Sequence, residues 1–392
     1  MTEPTTKNLV KPVTDGESPW TKELQAAFEA LRVAAEISRT VQKMTEFNGK
    51  DAIAKTQDSD SLAIKMLKSD ATPVTIADLA IQAMLLTVLN VTFPTYGLVA
   101  EESADQLRND PELRAIVNSL IVDHARDNTY AWENGCFAFS TNDTHVIKIL
   151  DLAGDPNGDG TTKPTFWVMD PIDGTASFVK GQQYAINLAL ISDGVEQLSA
   201  IACPLVDFNL AKTPLSKFTD ATVPPASHPG TFLYAALGEG SYIMPLDASQ
   251  SPIRLPNIPP NAVSRPYLST TATAVTSGKQ DLHQQIATSL GATHPYCDLL
   301  AWVLRWVSLA LQHATYTVWI YKNPNRHAKI WDHAGAMLLF REVGGKITDV
   351  NGREMDLSTG RTMSGNRGFV AASEGEHAAV LAEVRRVMGG EQ

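Results

Sequence analysis

The run Trp167-Val168-Met169-Asp170-Pro171-Ile172-Asp173-Gly174-Thr175 constrains this chain more than any other stretch. It reads as an apolar strand ending in two carboxylates three residues apart, on either side of a proline. Proline has no amide hydrogen for a ladder, so it is expected to stop the strand and turn the next residues into a loop. Asp170 and Asp173 then converge on one point, with the Ile172 carbonyl between them. Oxygen-only donors at a strand end suit a hard cation such as Mg2+, which takes carboxylates, water and substrate phosphate. Gly174 lets backbone approach a ligand closely, and the Thr175 hydroxyl both donates and accepts. An Asp-Pro turn alone is explained by turn chemistry, so this reading needs other acids placed in the same way.

Three further segments supply them. Lys329-Ile330-Trp331-Asp332-His333-Ala334-Gly335-Ala336 is expected to open a helix running to about Glu342 and stopping at Gly344-Gly345. Asp332 would fall in its first turn, where the helix dipole favours an acid. Tyr96-Gly97-Leu98-Val99-Ala100-Glu101-Glu102-Ser103 is a short apolar strand ending in two glutamates. Thr72-Pro73-Val74-Thr75-Ile76-Ala77-Asp78 puts another acid at a helix start.

Taken in order, Pro73 to Asp78, Val99 to Ser103, Asp170 to Thr175 and Ile330 to Ala334 resemble the four motifs of the inositol monophosphatase superfamily. These are lithium-sensitive, Mg2+-dependent phosphomonoesterases. Glu342-Val343-Gly344-Gly345-Lys346-Ile347-Thr348-Asp349 follows the last motif in the same register, and the likeness covers residues 22 to 385. Glu101 and Asp170 lie 69 positions apart, an interval that resembles the 3'(2'),5'-bisphosphate nucleotidase branch more than the small inositol monophosphatases. The resemblance implies an α/β (α+β) fold, the layered αβαβα sandwich of the inositol monophosphatase and fructose-1,6-bisphosphatase type. It also implies two or three Mg2+ ions held by Glu101, Asp170, the Ile172 carbonyl, Asp173 and Asp332. Asp78 and Thr175 would orient and activate the attacking water, and the amides of Gly174 and Thr175 would bind phosphate oxygens. The activity implied is hydrolysis of 3'-phosphoadenosine 5'-phosphate to AMP and phosphate.

Departures from the branch bear on substrate. Its usual lysine after Asp-Gly-Thr is Ala176 here, followed by Ser177-Phe178. Its Ser/His loop and its Asp-Ser-Gln-x-Lys-Tyr segment correspond to Leu268 to Thr273 and Ala301 to Trp306, where Arg305 is the candidate replacement cation for binding substrate. A pocket lacking those partners leaves a second phosphate poorly satisfied. The alternatives are a phosphatase of the same chemistry acting on an inositol phosphate or a specialised-metabolite phosphate, and a non-catalytic ligand-binding member.

Composition does not exclude the small phosphorylated substrate that the resemblance implies. A formal net charge of -11 argues against a nucleic-acid polymer as partner, since that needs a basic face. A bound cation can still invert the field of a local acidic cluster. Three widely spaced cysteines, Cys136, Cys203 and Cys297, read as reduced thiols. No run of 18 apolar residues and no signal-peptide layout occur, so no membrane partner and a cytoplasmic location are expected. The sequence is silent on oligomeric state.

The organisation expected is a disordered leader at 1–20, an N-terminal α+β domain at 21–195 with most metal ligands, and a C-terminal α/β domain at 196–392 with Asp332 and the substrate pocket. Helices are expected at Trp20 to Phe47, Asp78 to Val91 and Asp110 to Ala125, with loop at Ala131 to Gly160 and strands from Phe166 onward. Asp193-Gly194 marks a hairpin. Asp155 to Gly160 imitates half a calcium loop but has Phe166 where the bidentate glutamate belongs, so it is read as a turn. Glu102 is expected to help through water or to face solvent, and His333 to pack or hydrogen-bond. Trp302, Trp306 and Trp319 read as core or pocket wall, and Lys68 as a surface residue.

Overall fold

A sheet covered on both faces needs strands that are largely apolar, and the buried strands between Phe166 and Pro245 are mostly of that kind. The computed structural model describes residues 12–13, 18–52, 66–67, 73–127, 143–154, 163–211, 228–259, 278–292, 294 and 300–389. After a short ladder of β1 (Met66–Leu67) and β2 (Pro73–Val74), a seven-stranded sheet runs in chain order. Its strands are β3 (Gly97–Ala100), β4 (Thr165–Asp173), β5 (Ala185–Ser192), β6 (Val195–Cys203), β7 (Thr231–Ala236), β8 (Gly240–Pro245) and β9 (Ile253–Arg254). Only the β3–β4 pair is parallel.

Alternation along β4 divides the core in two. Trp167 and Met169 point into a layer formed by α1 (Thr21–Ala52), α2 (Ile76–Thr92), α4 (Pro111–Asp127) and α5 (Asp143–Gly154), with the short α3 (Asp105–Arg108) adding Leu107. Phe166 and Val168 point the other way, into a core shared with α9 (Trp302–Ala310), α10 (Ala336–Arg341) and Phe208 of the short α7 (Phe208–Ala211). Those two helices are covered in turn by an antiparallel sheet ordered β10 (Tyr316–Trp319), β12 (Phe369–Ser373), β11 (Gly345–Thr348). Its far face packs on α8 (Gln280–Ser289) and α11 (Glu374–Gly389) through Val318, Val370, Ile286 and Val384. The stack is therefore the αβαβα sandwich.

Several expectations change. Asp170 pairs with Asn187 and Asp173 with Ala185, so one extra residue around Pro171 is absorbed as a bulge and β4 continues to Asp173. The helix expected from Lys329 is broken. A 3-10 turn at Ile330–Asp332 is separated from α10 by Gly335 at φ +83°, so Asp332 precedes the α-helix instead of opening it. Helix α5 occupies part of the stretch read as loop, because Val146, Ile149, Leu150 and Ala153 keep a helical stripe against the core. The domain boundary expected at 195/196 falls within the first residues of β6, just past the turn from β5, inside one continuous sheet. Cys203 is a buried free thiol. Most of the leader, Cys136, Cys297, Lys68, Leu268 to Thr273 and Asp155 to Gly160 lie outside the described residues. Among the described residues, no helix is long and apolar enough to cross a membrane.

Candidate active site

Three carboxylates gather where the bulge of β4 meets the 3-10 turn. One oxygen each from Asp170, Asp173 and Asp332 lies within 4.8 Å of the others. Asp170 and Asp173 are buried, Asp332 half-buried. The bulge holds Asp170 through the Ile172 amide, which donates to its Oδ1 at 3.0 Å. Asp173 reaches the N-terminus of α9, where the Trp302 and Val303 amides donate to its two oxygens at 3.2 and 2.7 Å. Ala301, at the N-cap, makes no side-chain cap, so a strand carboxylate caps this helix from outside.

The acids oppose one another. Burial first, then Glu101, Asp173 and Asp332, push the Asp170 carboxyl well above the ordinary carboxylate range. Asp332 is raised likewise, by burial and then by Asp173 and Glu101, and it is hydrogen-bonded to Asp170. Burial lifts Asp173 to about 7 against the lowering influence of the α9 amides and Arg305. Two carboxyls can share a hydrogen bond only with a proton between them. A hard cation supplies the missing positive charge without protons, so the donor set fits a divalent metal.

Glu101 follows β3 and is half-buried. It lies outside the tight triad but acts on all three members. Glu102 does not face solvent. It is buried, and the Gln82 side chain fixes its backbone, accepting from the Glu102 amide at 2.8 Å and donating to its carbonyl at 2.7 Å.

Asp78 and Thr175 meet. The Thr175 hydroxyl is 3.2 Å from Asp78 Oδ1 and 3.2 Å from the Ile172 carbonyl oxygen, and can donate to either. Asp78 Oδ2 accepts from the Thr75 amide at 2.8 Å and from the Thr75 hydroxyl at 2.5 Å, closing a capping box on α2. Capping and contact with Thr175 thus use different oxygens of one buried carboxylate. Gly174, at φ +94°, makes the turn from β4 into the four-residue helix α6 (Thr175–Phe178). A Cβ there would lie 2.7 Å from that of Ala301.

Arg305 is buried under the rim of the site. Its guanidinium stacks 4.0 Å from the ring of Trp302 and 4.9 Å from that of Trp319, and Nε donates to the Leu300 carbonyl at 2.9 Å. His333 is buried among Trp302, Trp306 and Phe369, with Nδ1 accepting from Trp306 Nε1 at 3.1 Å. Burial, then Arg305, holds its pKa well below the usual histidine value. Trp306 and Trp319 are buried and Trp302 half-buried, as core and wall.

Sequence reasoning missed Gln82 and Asn187, which hold the segments that carry Glu101 and Asp332. Each is a single amide in an otherwise apolar buried run, and that mismatch was the available signal.

The family model for the inositol monophosphatase family matches residues 20–388. The chain belongs to this family. It is a phosphoric monoester hydrolase. Similar relatives include the 3'(2'),5'-bisphosphate nucleotidase of Emericella nidulans, 31% identical over 82% of this chain and 90% of that protein. The Schizosaccharomyces pombe protein of the same name is 30% identical over 80% of this chain and 84% of its own. Among solved structures, the extragenic suppressor protein suhB of Bartonella henselae superposes with a TM-score of 0.54 at 14% identity, over 91% of this chain and 97% of that one. The IMPase of Thermotoga maritima gives 0.51 at 16%, over 92% and 99%. Both show the shared fold.

Proposed function

We propose that this enzyme is a Mg2+-dependent 3'(2'),5'-bisphosphate nucleotidase that converts 3'-phosphoadenosine 5'-phosphate to AMP and phosphate. The observation that carries the reading is the meeting of the Asp170–Asp173–Asp332 triad with the Asp78–Thr175 pair at one end of β4. The names of the relatives at 30 and 31% identity support the nucleotide. Two or three Mg2+ would be held by Glu101, Asp170, the Ile172 carbonyl, Asp173 and Asp332. Bound there, the metal would acidify water and neutralise charge on the leaving oxygen.

The chain's own groups do the rest. Thr175 Oγ accepts a proton from the attacking water while its own proton passes to Asp78 Oδ1. The capping box keeps Asp78 in place for this, since Thr75 occupies only Oδ2. The amides of Gly174 and Thr175, ahead of the first α6 hydrogen bond, face no intrahelical acceptor and are assigned to phosphate oxygens.

One observation favours a second reading. Arg305 lies beneath Trp302 instead of projecting from it, and Ala176 offers no cation, so a second phosphate has few partners here. That suits an inositol phosphate or a specialised-metabolite phosphate. Phosphate release over a substrate panel, with and without Mg2+, decides between them. Efficiency on 3'-phosphoadenosine 5'-phosphate more than about a hundredfold above that on adenosine 3'-phosphate, about 2.7 kcal/mol, supports the nucleotidase. A ratio near unity favours the second reading, and no Mg2+-dependent release from any substrate overturns both.

A further inference from the structure

Asn187 occupies an unusual place for an amide. It sits in the apolar run Ala185-Ile186-Asn187-Leu188-Ala189 of β5, fully buried. In the β4–β5 ladder it is the partner of Asp170. Cross-strand partners project from the same face of a sheet, so the two side chains stand side by side under the C-terminal layer. Asn187 Nδ2 donates to the Trp331 carbonyl at 2.8 Å and to the Ala334 carbonyl at 2.9 Å. Those carbonyls bracket Asp332 and His333.

Both protons of Nδ2 are thus used to hold one turn. The opposite amide orientation would set Oδ1 against two carbonyl oxygens, so the network selects the one described. Among the described residues Oδ1 has no hydrogen-bond partner, and it lies against Gly335, where a Cβ would come within 3.2 Å. The same Cβ would be 3.0 Å from the Leu188 carbonyl oxygen and 3.1 Å from Ala189 Cβ. The Gly335 amide adds a third tie, donating to buried Glu196 on β6 at 2.7 Å. The turn bearing Asp332 is therefore pressed onto β5 and bolted there beside Asp170, although 162 residues separate those two acids in sequence.

We propose that Asn187 is a positioning residue of the acid centre, setting cation affinity by docking the Asp332 turn onto the strand that pairs with Asp170. This rests on the metal-dependent reading above. Without the Nδ2 donors, the Trp331 and Ala334 carbonyls lose their partners and Asp332 is no longer registered against Asp170. Loss of such an outer tie lowers metal affinity roughly 10- to 100-fold in metal sites generally.

The test is isothermal titration with Mg2+ alone, without substrate, on the wild-type chain, Asn187→Ser, Asn187→Leu and Ser241→Ala. Ser241 donates to the Leu339 carbonyl at 2.7 Å, so it ties α10 to β8 by a buried hydrogen bond remote from the acids. Weakening of at least tenfold in the Asn187 variants, with Ser241→Ala binding like wild type despite a lowered melting temperature, is the expected result. Wild-type affinity in the Asn187 variants, or an equal loss in Ser241→Ala, overturns the proposal. So does failure of both Asn187 variants to fold by circular dichroism, which would make Asn187 a fold determinant. No binding by the wild-type chain would overturn the Mg2+ reading itself, and the variants alone cannot do that.

Discussion

Asp170 illustrates how a residue can serve the reaction at the expense of the fold. Its carboxyl is buried, and four other acids, Glu101, Asp173, Asp332 and Asp78, each raise its pKa further. Asp170→Asn keeps the oxygen that accepts from the Ile172 amide and removes the repelled charge. The expected outcome is two-sided: phosphate release at saturating Mg2+ nearly abolished, and the melting temperature of the metal-free chain raised. Unchanged turnover would refute the ligand assignment, and a lowered metal-free melting temperature would refute the repulsion argument. The Asp78–Thr175 pair makes a different prediction. Thr175→Ala should lower turnover by roughly two to four powers of ten, the usual acid–base contribution, with the Michaelis constant little changed, while Thr175→Ser should retain most activity. An effect confined to the Michaelis constant would show a binding role. The acids stood out as candidates in the sequence because an acid beside Gly, Pro or Thr at an element end is a local pattern, and only the family resemblance paired Asp78 with Thr175. Gln82 and Asn187 did not, because an amide on a helix or strand that ties down a distant segment declares its role only when the distant carbonyl arrives.

At the scale of elements, the strands from β3 to β8 were readable from their apolar runs, whereas the exposed β9 and the termini of the functional elements were not. Pro171 reads as a stop, yet β4 runs on, since a bulge absorbs the extra residue and sends Asp170 and Asp173 toward one point. The apolar spacing after Lys329 reads as one helix, yet Gly335 breaks it so that the turn can lie on β5. That break carries a stability cost if it is closed. Gly335→Ala places a side chain at φ +83°, about 1 to 2 kcal/mol for the backbone alone. Contact with the Leu188 carbonyl and Asn187 Oδ1 adds to it, so chemical denaturation should show a loss above about 2 kcal/mol. A neutral substitution would mean that the turn does not press on the strand.

Across the whole molecule, the acid centre joins two layers: Asp170 and Asp173 come from the large sheet, Asp332 from the turn that leads into α10 above it, and Asp173 also caps α9. Cation binding therefore bears on the stability of the entire stack, and pH sets by how much. In the metal-free chain Asp170, Asp173 and Asp332 have folded-state pKa values raised above the unfolded ones, with Asp173 at about 7. The folded chain then binds more protons than the unfolded one, so these groups lower stability as pH climbs from the ordinary carboxylate value toward 7. Buried His283 works in the opposite sense. Its Nε2 accepts from the Ile320 amide at 2.8 Å, and burial lowers its pKa to about 3. Its contribution is complete above the unfolded histidine value and is lost as pH falls below it, by up to about 1.4 kcal/mol per pH unit. On the proposed reading, bound Mg2+ would remove the first dependence by taking the place of the protons, and would leave the second intact. The rise in melting temperature on adding Mg2+ should accordingly be small at pH 5.5 and largest at pH 8. In saturating Mg2+, the remaining loss of stability toward acid should shrink in His283→Gln. Thermal scans at three pH values with Mg2+ and with chelator measure both, and a Mg2+ shift independent of pH would show that the cation does not compete with protons for these carboxylates.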